Sequence, residues 1–138
     1  MRLLVLATLG LIALNGCAGK NTPKPVPPST VLSVSGVFQG SLEIEGDRVD
    51  STLQVRQNGL ALTSWLTASD FGMIADGAGT LSGRSVELTM TYGAECPGTA
   101  RLVGRIAPQT MSYTGRIVAS DCTGDVEGSF SFQRAQAR

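Results

Sequence analysis

From Val34 onward, apolar and polar residues alternate along the chain with a period of two. Leu42 and Ile44 share one face of a predicted strand, and the polar residue Glu43 lies between them. Such alternation is typical of antiparallel sheet with one buried and one solvated face, and no segment keeps a helical period. The apolar sets are Leu42 and Ile44; Leu53 and Val55; Leu60, Leu62 and Leu66; Val86, Leu88, Met90 and Tyr92; Leu102 and Ile106; Met111, Tyr113 and Ile117; Val126, Phe130 and Phe132.

Turn-forming residues divide this part of the chain into eight short predicted strands. Consecutive short strands predict an up-and-down meander, and closure into a barrel would remove the exposed sheet edges. We therefore predict an all-β fold, a small eight-stranded antiparallel up-and-down β-barrel over 34–135. The predicted strands are 36–46, 50–57, 60–69, 71–76, 79–91, 98–107, 110–120 and 125–134, and the breaks include Gly46-Asp47, Asn58-Gly59, Asp76-Gly77, Gly83-Arg84 and Ala107-Pro108.

Glycines recur in a weak five-residue repeat, which spans 36–40, 79–83 and 124–128. Within each copy the glycines share parity with an inward apolar residue, and Gly104 and Gly115 also fall on the inward face. Glycine weakens a strand unless the backbone must bend or pack closely. We therefore expect these glycines to let the strands of a small barrel coil tightly.

The first residues resemble a bacterial lipoprotein signal. Arg2 precedes an uncharged apolar run over 3–14, and the segment Leu14-Asn15-Gly16-Cys17 resembles a lipobox that ends in the lipidated cysteine. The run is too short to span a bilayer as a helix. The resemblance implies that 1–16 is a signal peptide and that Cys17 carries a diacylglycerol thioether and an N-acyl group (palmitate). Ala18, where an aspartate would favour retention at the inner membrane, implies an outer-membrane address.

Residues 17–33 are predicted to be the lipidated cysteine and a tether. Pro23, Pro25, Pro27 and Pro28 fix the backbone in an extended, polyproline-like form, so this stretch is expected to act as a spacer.

Two cysteines remain once Cys17 is assigned to lipid. Cys96 and Cys122 form an even pair in an oxidising compartment, which favours a structural disulfide. The alternative is a redox-active or nucleophilic cysteine. Neither CxxC spacing nor an activating histidine supports it, because the chain contains no histidine.

The composition argues against several classes of function. Without histidine, Ser-His and Cys-His catalysis and histidine-based zinc sites are excluded. The 11 basic and 11 acidic residues form no basic run, and the chain has few aromatics, so nucleic acid is not an expected partner. Glu43 and Glu45 fit the solvent face of a strand, and the loop between Asp121 and Asp125 is too poor in oxygen ligands for calcium. We predict no enzymatic activity, no cofactor and no metal site.

The barrel resembles the calycins, the group that includes lipocalins and avidin-like proteins. Gly36-Val37-Phe38 resembles the Gly-x-Trp that opens a lipocalin barrel, with phenylalanine in place of tryptophan. Arg134 lies where lipocalins place an arginine that stacks on this aromatic. The resemblance implies a cation–π pair of Phe38 with Arg134 that closes the barrel. Calycins usually hold a ligand, but eight strands with large inward residues favour a filled interior.

These observations leave several hypotheses for function, of which the first is a non-catalytic binding or scaffolding module of the cell envelope. It would act through the barrel exterior and loops, where Trp65 is a possible partner contact. Arg101, Arg105 and Arg116 share the outer face and are further contacts, unless they are only solvated. The second is a carrier of a small apolar ligand in a cavity between Phe38, Met90 and Tyr113. The third is a barrel-type inhibitor of an envelope enzyme.

Overall fold

The structure of the chain is a computed structural model that describes residues 30–69, 72–93 and 95–136. Cys17, the signal peptide and most of the proposed tether lie outside these residues. The strands are β1 (Gly36–Ile44), β2 (Asp47–Asn58), β3 (Ala61–Ala68), β4 (Met73–Ser82), β5 (Ser85–Tyr92), β6 (Gly98–Ala107), β7 (Ser112–Asp121) and β8 (Gly124–Arg134).

Each strand pairs antiparallel with the next, and β1 also pairs with β8, so the sheet closes on itself. In this last pairing Phe38 lies opposite Arg134 and Leu42 lies opposite Phe130. The prediction of a closed, eight-stranded, up-and-down antiparallel barrel is confirmed. Such an architecture is consistent with a calycin-like fold. Among the described residues, no helix has the length and apolar character needed to cross a membrane.

The barrel has two ends that differ in construction. One end, which we call the basal end, is formed by the segment 30–35 and by the turns β2–β3, β4–β5 and β6–β7. We call the apical end the opposite one, formed by the connections β1–β2, β3–β4, β5–β6 and β7–β8. The chain therefore enters the barrel at its basal end.

The predicted division of the middle of the chain is wrong. Instead of strands over 71–76 and 79–91, β4 runs unbroken through Asp76 and Gly77, and the turn lies at Gly83, whose φ is 59°. A Cβ on Gly77 would lie closer than 3.0 Å to the Thr89 carbonyl oxygen. Position 77 therefore requires glycine because β4 and β5 approach each other closely there, although the dipeptide Asp76-Gly77 is typical of a turn.

Leu60 also departs from its predicted place on the inward face. It lies in the β2–β3 turn, where 55% of its surface is exposed. The inward face of β3 begins at Leu62 instead, because the turn takes up both Gly59 and Leu60.

The core lies along the barrel axis and is built from the inward residue of each alternating pair. The Tyr113 and Phe130 rings pack at a tilt of 53° with centroids 4.6 Å apart, and the Phe132 ring centroid lies 5.8 Å from that of Phe130. The Tyr113 hydroxyl donates to the Val86 carbonyl at 3.2 Å, which satisfies its one buried polar atom. The largest fully buried side chains are Tyr113, Phe38, Phe132, Leu42, Leu53, Leu62, Leu66, Leu81, Leu88, Met90, Leu102 and Val34.

Inward glycines allow neighbouring strands to approach at three places around the barrel. A Cβ on Gly40 would lie closer than 3.0 Å to the Ser131 carbonyl oxygen, across the β1–β8 pair. A Cβ would also lie closer than 3.0 Å to a backbone carbonyl oxygen of the paired strand at five further glycines, on β4, β6, β7 and β8. They are Gly77 and Gly79, Gly104 and Gly115, and Gly128. A side chain at these positions would force the paired strands apart.

Gly40→Ala should lower the free energy of unfolding by about 2 kcal/mol or more, because overpacking against fixed backbone costs that much. Urea denaturation measures the effect. Gln39→Ala, on the exposed face of the same strand, is the matched control and should change stability little. Equal stability of the two variants would mean that β1 and β8 do not need the glycine.

Candidate functional site

The segment 30–35, which we call the strap, closes the basal end. Val34 is 1% exposed and covers the core from below, and Leu32 packs against the same cluster. The Gln57 side chain holds the strap in place. Its amide nitrogen donates to the Leu32 carbonyl at 2.9 Å, and its amide oxygen accepts from the Val34 backbone N–H at 2.7 Å. Leu32, assigned by sequence to the tether, is therefore hydrogen-bonded to the barrel.

Arg134 is the second clamp on the strap. One guanidinium nitrogen donates to the carbonyls of Ser33 at 2.9 Å and Ser35 at 2.8 Å. The guanidinium carbon lies 5.6 Å from the Phe38 ring centroid, a separation at which a cation–π attraction operates. The structure therefore brings together the two residues that the resemblance to calycins pairs, and Arg134 also hydrogen-bonds the strap.

The space between Phe38, Met90 and Tyr113, where a carrier would need a cavity, is occupied by side chains. The three residues are 1%, 0% and 2% exposed. A cavity that could hold even one water would leave accessible surface on the residues that line it. Leu53, Leu66, Leu88 and Leu102 have none, so the middle of the barrel is packed.

Trp65 lies on the outer wall, on the face of β3 opposite Leu66. The Arg56 guanidinium lies over its ring, 5.1 Å from the centroid, and Asp76 is its neighbour on β4. Nearby on β4, Ile74 is 66% exposed, the largest exposed fraction of the large hydrophobic residues described. We call Arg56, Trp65, Ile74 and Asp76 the Trp65 patch.

The three outer arginines singled out by sequence lie near one another on β6 and β7, but two of them are engaged in ion pairs. Arg101 pairs with Glu87 at 2.8 Å, and Arg116 pairs with Glu127 at 3.1 Å. Arg105 has no carboxylate within salt-bridge distance among the described residues. Sequence reasoning missed Glu87 and Glu127 as partners, although both lie at outward positions of strands adjacent to the arginines.

The apical end is fastened by a covalent bond and a hydrogen-bonded turn. The predicted Cys96–Cys122 disulfide is confirmed, and it joins the β5–β6 loop to the β7–β8 turn. Asp121 accepts from the Thr123 backbone N–H at 2.8 Å and from the Tyr92 hydroxyl at 3.2 Å. Hydrogen bonds from Thr123 lower the pKa of Asp121. Burial, and then the charge of Asp121, raises the pKa of Tyr92.

No cluster of three or more metal-binding side chains occurs within the described residues. Comparisons with known proteins found no matching family model, no matching curated protein and no matching solved structure.

The disulfide should contribute to stability mainly through the loop it closes. The two cysteines are 26 positions apart, for which loss of chain entropy on unfolding predicts about 3 kcal/mol. The double variant Cys96→Ser/Cys122→Ser should lose that amount in urea denaturation. A reducing agent should destabilise the parent chain equally and leave the double variant unchanged. An effect of the reducing agent on both proteins would contradict this assignment.

The clamp on the strap can be tested with a nearly isosteric change. Gln57→Glu keeps an oxygen for the Val34 N–H but removes the donors to the Leu32 and Gly59 carbonyls. We expect a loss of about 1–3 kcal/mol and faster hydrogen exchange at the Val34 amide. Gln54→Glu, at an exposed position of the same strand, is the control. Unchanged exchange at Val34 in Gln57→Glu would show that the strap is held by other contacts.

The two tyrosines of the chain should both ionise late. Burial raises the pKa of Tyr113, and the charge of Glu87 adds to the rise. The pKa of Tyr92 is raised as well. Because the folded state holds these protons more tightly, their contribution to stability is complete below about pH 10 and is lost as pH rises through the folded-state pKa values.

Tyrosinate absorbance should therefore stay below half of its final value at about pH 10, while circular dichroism still reports folded protein. Half-ionisation at that pH in the folded chain would mean that water reaches Tyr113.

Proposed function

We propose that this chain is a non-catalytic lipoprotein of the cell envelope, anchored through acyl groups on Cys17 in the outer membrane. Its barrel serves as a binding or scaffolding module that acts through the exterior and the loops. The lipobox-like segment Leu14-Asn15-Gly16-Cys17 and the proline-rich stretch after it support the anchor and the tether.

The packed interior is the observation that carries the proposal for the barrel. Leu53, Leu88 and Met90, in the middle of the barrel, have no accessible surface, so an apolar ligand could enter only by displacing core side chains. Interiors at native packing density resist such insertion. The exterior and the loops are then the surfaces that remain for recognition.

The Trp65 patch is the part of the exterior that best fits a protein partner. Tryptophan and arginine are enriched among the residues that dominate binding energy in interfaces. Here Arg56 already lies over Trp65, so both side chains are held in place before a partner arrives. Ile74 adds exposed apolar area beside them. By contrast, Arg101 and Arg116 are engaged with carboxylates of their own barrel.

The anchor is tested by metabolic labelling with palmitate and by fractionation of membranes. The parent chain should incorporate label and sediment with the outer membrane. Cys17→Ala should lose the label and leave the outer-membrane fraction. Label in the Cys17→Ala protein, or an unlabelled parent chain, would contradict the lipoprotein assignment.

The contact surface is tested with a photo-crosslinking residue at Gln54, directly opposite Trp65 on β2. Thr114, exposed on the outer wall of β7, is the matched control position. A discrete adduct at Gln54 that is absent at Thr114 and is lost with Trp65→Ala would support the patch. Equal adducts at both positions, or adducts that survive Trp65→Ala, would contradict it.

A further inference from the structure

The positive charge of the barrel is concentrated at its basal end. Arg84 lies in the β4–β5 turn, Arg134 ends β8, and Arg56 and Arg105 each lie close to the basal end of their strand. Within the described residues, none of the four has a carboxylate within salt-bridge distance. The basal end therefore carries four cations whose charge is not neutralised by a direct partner.

The acidic residues have the opposite distribution. Among the described residues, only Glu87 is an acid in the basal half of a strand, and it is paired with Arg101. The others lie in the apical half or in apical loops. They are Glu43, Glu45, Asp47, Asp50, Asp76, Glu95, Asp121, Asp125 and Glu127. The barrel thus has a positive basal end and a negative apical end, although the whole chain has equal numbers of acids and bases.

Exposed apolar side chains accompany the basal cations. Val31 in the strap is 49% exposed and Leu60 in the β2–β3 turn is 55% exposed. Both line a groove that also includes Leu81, Arg84 and Pro108. Apolar groups beside unpaired cations form the composition that binds the interface of an anionic bilayer.

We infer that the basal end rests on an anionic phospholipid surface, with Val31 and Leu60 at headgroup level and the acidic apical end turned away. The inference rests on the proposed lipid anchor, because the chain from Cys17 reaches the barrel at this end. The acidic end would be repelled by the same surface, so both ends favour one orientation.

The tether makes a weak surface attraction effective. The proposed tether can reach at most roughly 3 Å per residue, which would keep the basal end within a few tens of ångströms of the bilayer. Attraction of the arginines to the surface acts over a Debye length of about 8 Å at physiological ionic strength. The anchor therefore holds the barrel at a high effective concentration near the surface, where a modest affinity suffices to orient it.

The test uses the full-length lipidated protein in phosphatidylcholine vesicles with and without phosphatidylglycerol. Trp65→Phe removes the native tryptophan, and a single tryptophan is then introduced at the basal end (Leu60→Trp) or at the apical end (Ile74→Trp). Both positions are exposed apolar residues in the native chain, so the two variants are matched. Brominated acyl chains quench tryptophan fluorescence only at short range.

We expect quenching of Leu60→Trp that strengthens with phosphatidylglycerol and is screened by salt, and none of Ile74→Trp. Adding Arg84→Gln and Arg105→Gln should weaken membrane contact by about fivefold per arginine. The matched pair Arg101→Gln and Arg116→Gln, which removes the same charge from the side wall, should leave quenching nearly unchanged.

Flotation with the vesicles separates the two claims. If the protein floats but Leu60→Trp is not quenched, or Ile74→Trp is quenched equally, the inferred orientation is wrong and the anchor stands. Quenching that changes neither with phosphatidylglycerol content nor with substitution of the basal arginines would also overturn the inference. If the protein does not float, the anchor fails and the inference fails with it.

Discussion

Close approach of neighbouring strands is the constraint on which the rest of this barrel depends. Gly40, Gly77 and Gly104 each lie so close to a backbone carbonyl of a neighbouring strand that there is no room for a Cβ. Because those inward positions carry no side chain, the sheet can bend sharply enough for eight short strands to close. A wider barrel would leave the axis open, whereas this one is narrow enough for its own side chains to fill it.

A filled axis has consequences for both ends. The core needs a cover where the strands stop, and the strap supplies it at the basal end through Val34, held by Gln57 and Arg134. At the apical end the Cys96–Cys122 disulfide and the Tyr92–Asp121 hydrogen bond tie adjacent loops together. The same strap that covers the core is the point where the proposed tether joins, so pull on the anchor would act on a clamped segment.

Much of the fold could be predicted from the sequence, because period-two alternation directly reports a sheet with one buried face. Leu42, Leu88 and Phe130 are buried as the alternation requires. The predicted position of one turn was wrong. Asp76-Gly77 has the composition of a turn, yet Gly77 lies within β4 because Thr89 of the paired strand approaches it. Such a requirement comes from the neighbouring strand and is invisible in a single segment.

The surface was less predictable than the core for a similar reason. Arg101 and Arg116 share an outer face in the sequence pattern, but their ion pairs with Glu87 and Glu127 depend on strand register. The role of Gln57 depends on a strap that the composition assigns to a tether. The arginines that gather at the basal end are far apart in the sequence. Their common location becomes visible only once the closed barrel places every second turn at the same end.

The central claim is that the barrel works from its outside because its interior is occupied by its own side chains. Native mass spectrometry of the full lipidated protein, extracted gently from the envelope, tests this most directly. We expect a mass equal to that of the lipidated chain with the disulfide formed and nothing else retained. A small apolar molecule bound in stoichiometric amount and released only on unfolding would contradict the claim and make the barrel a carrier.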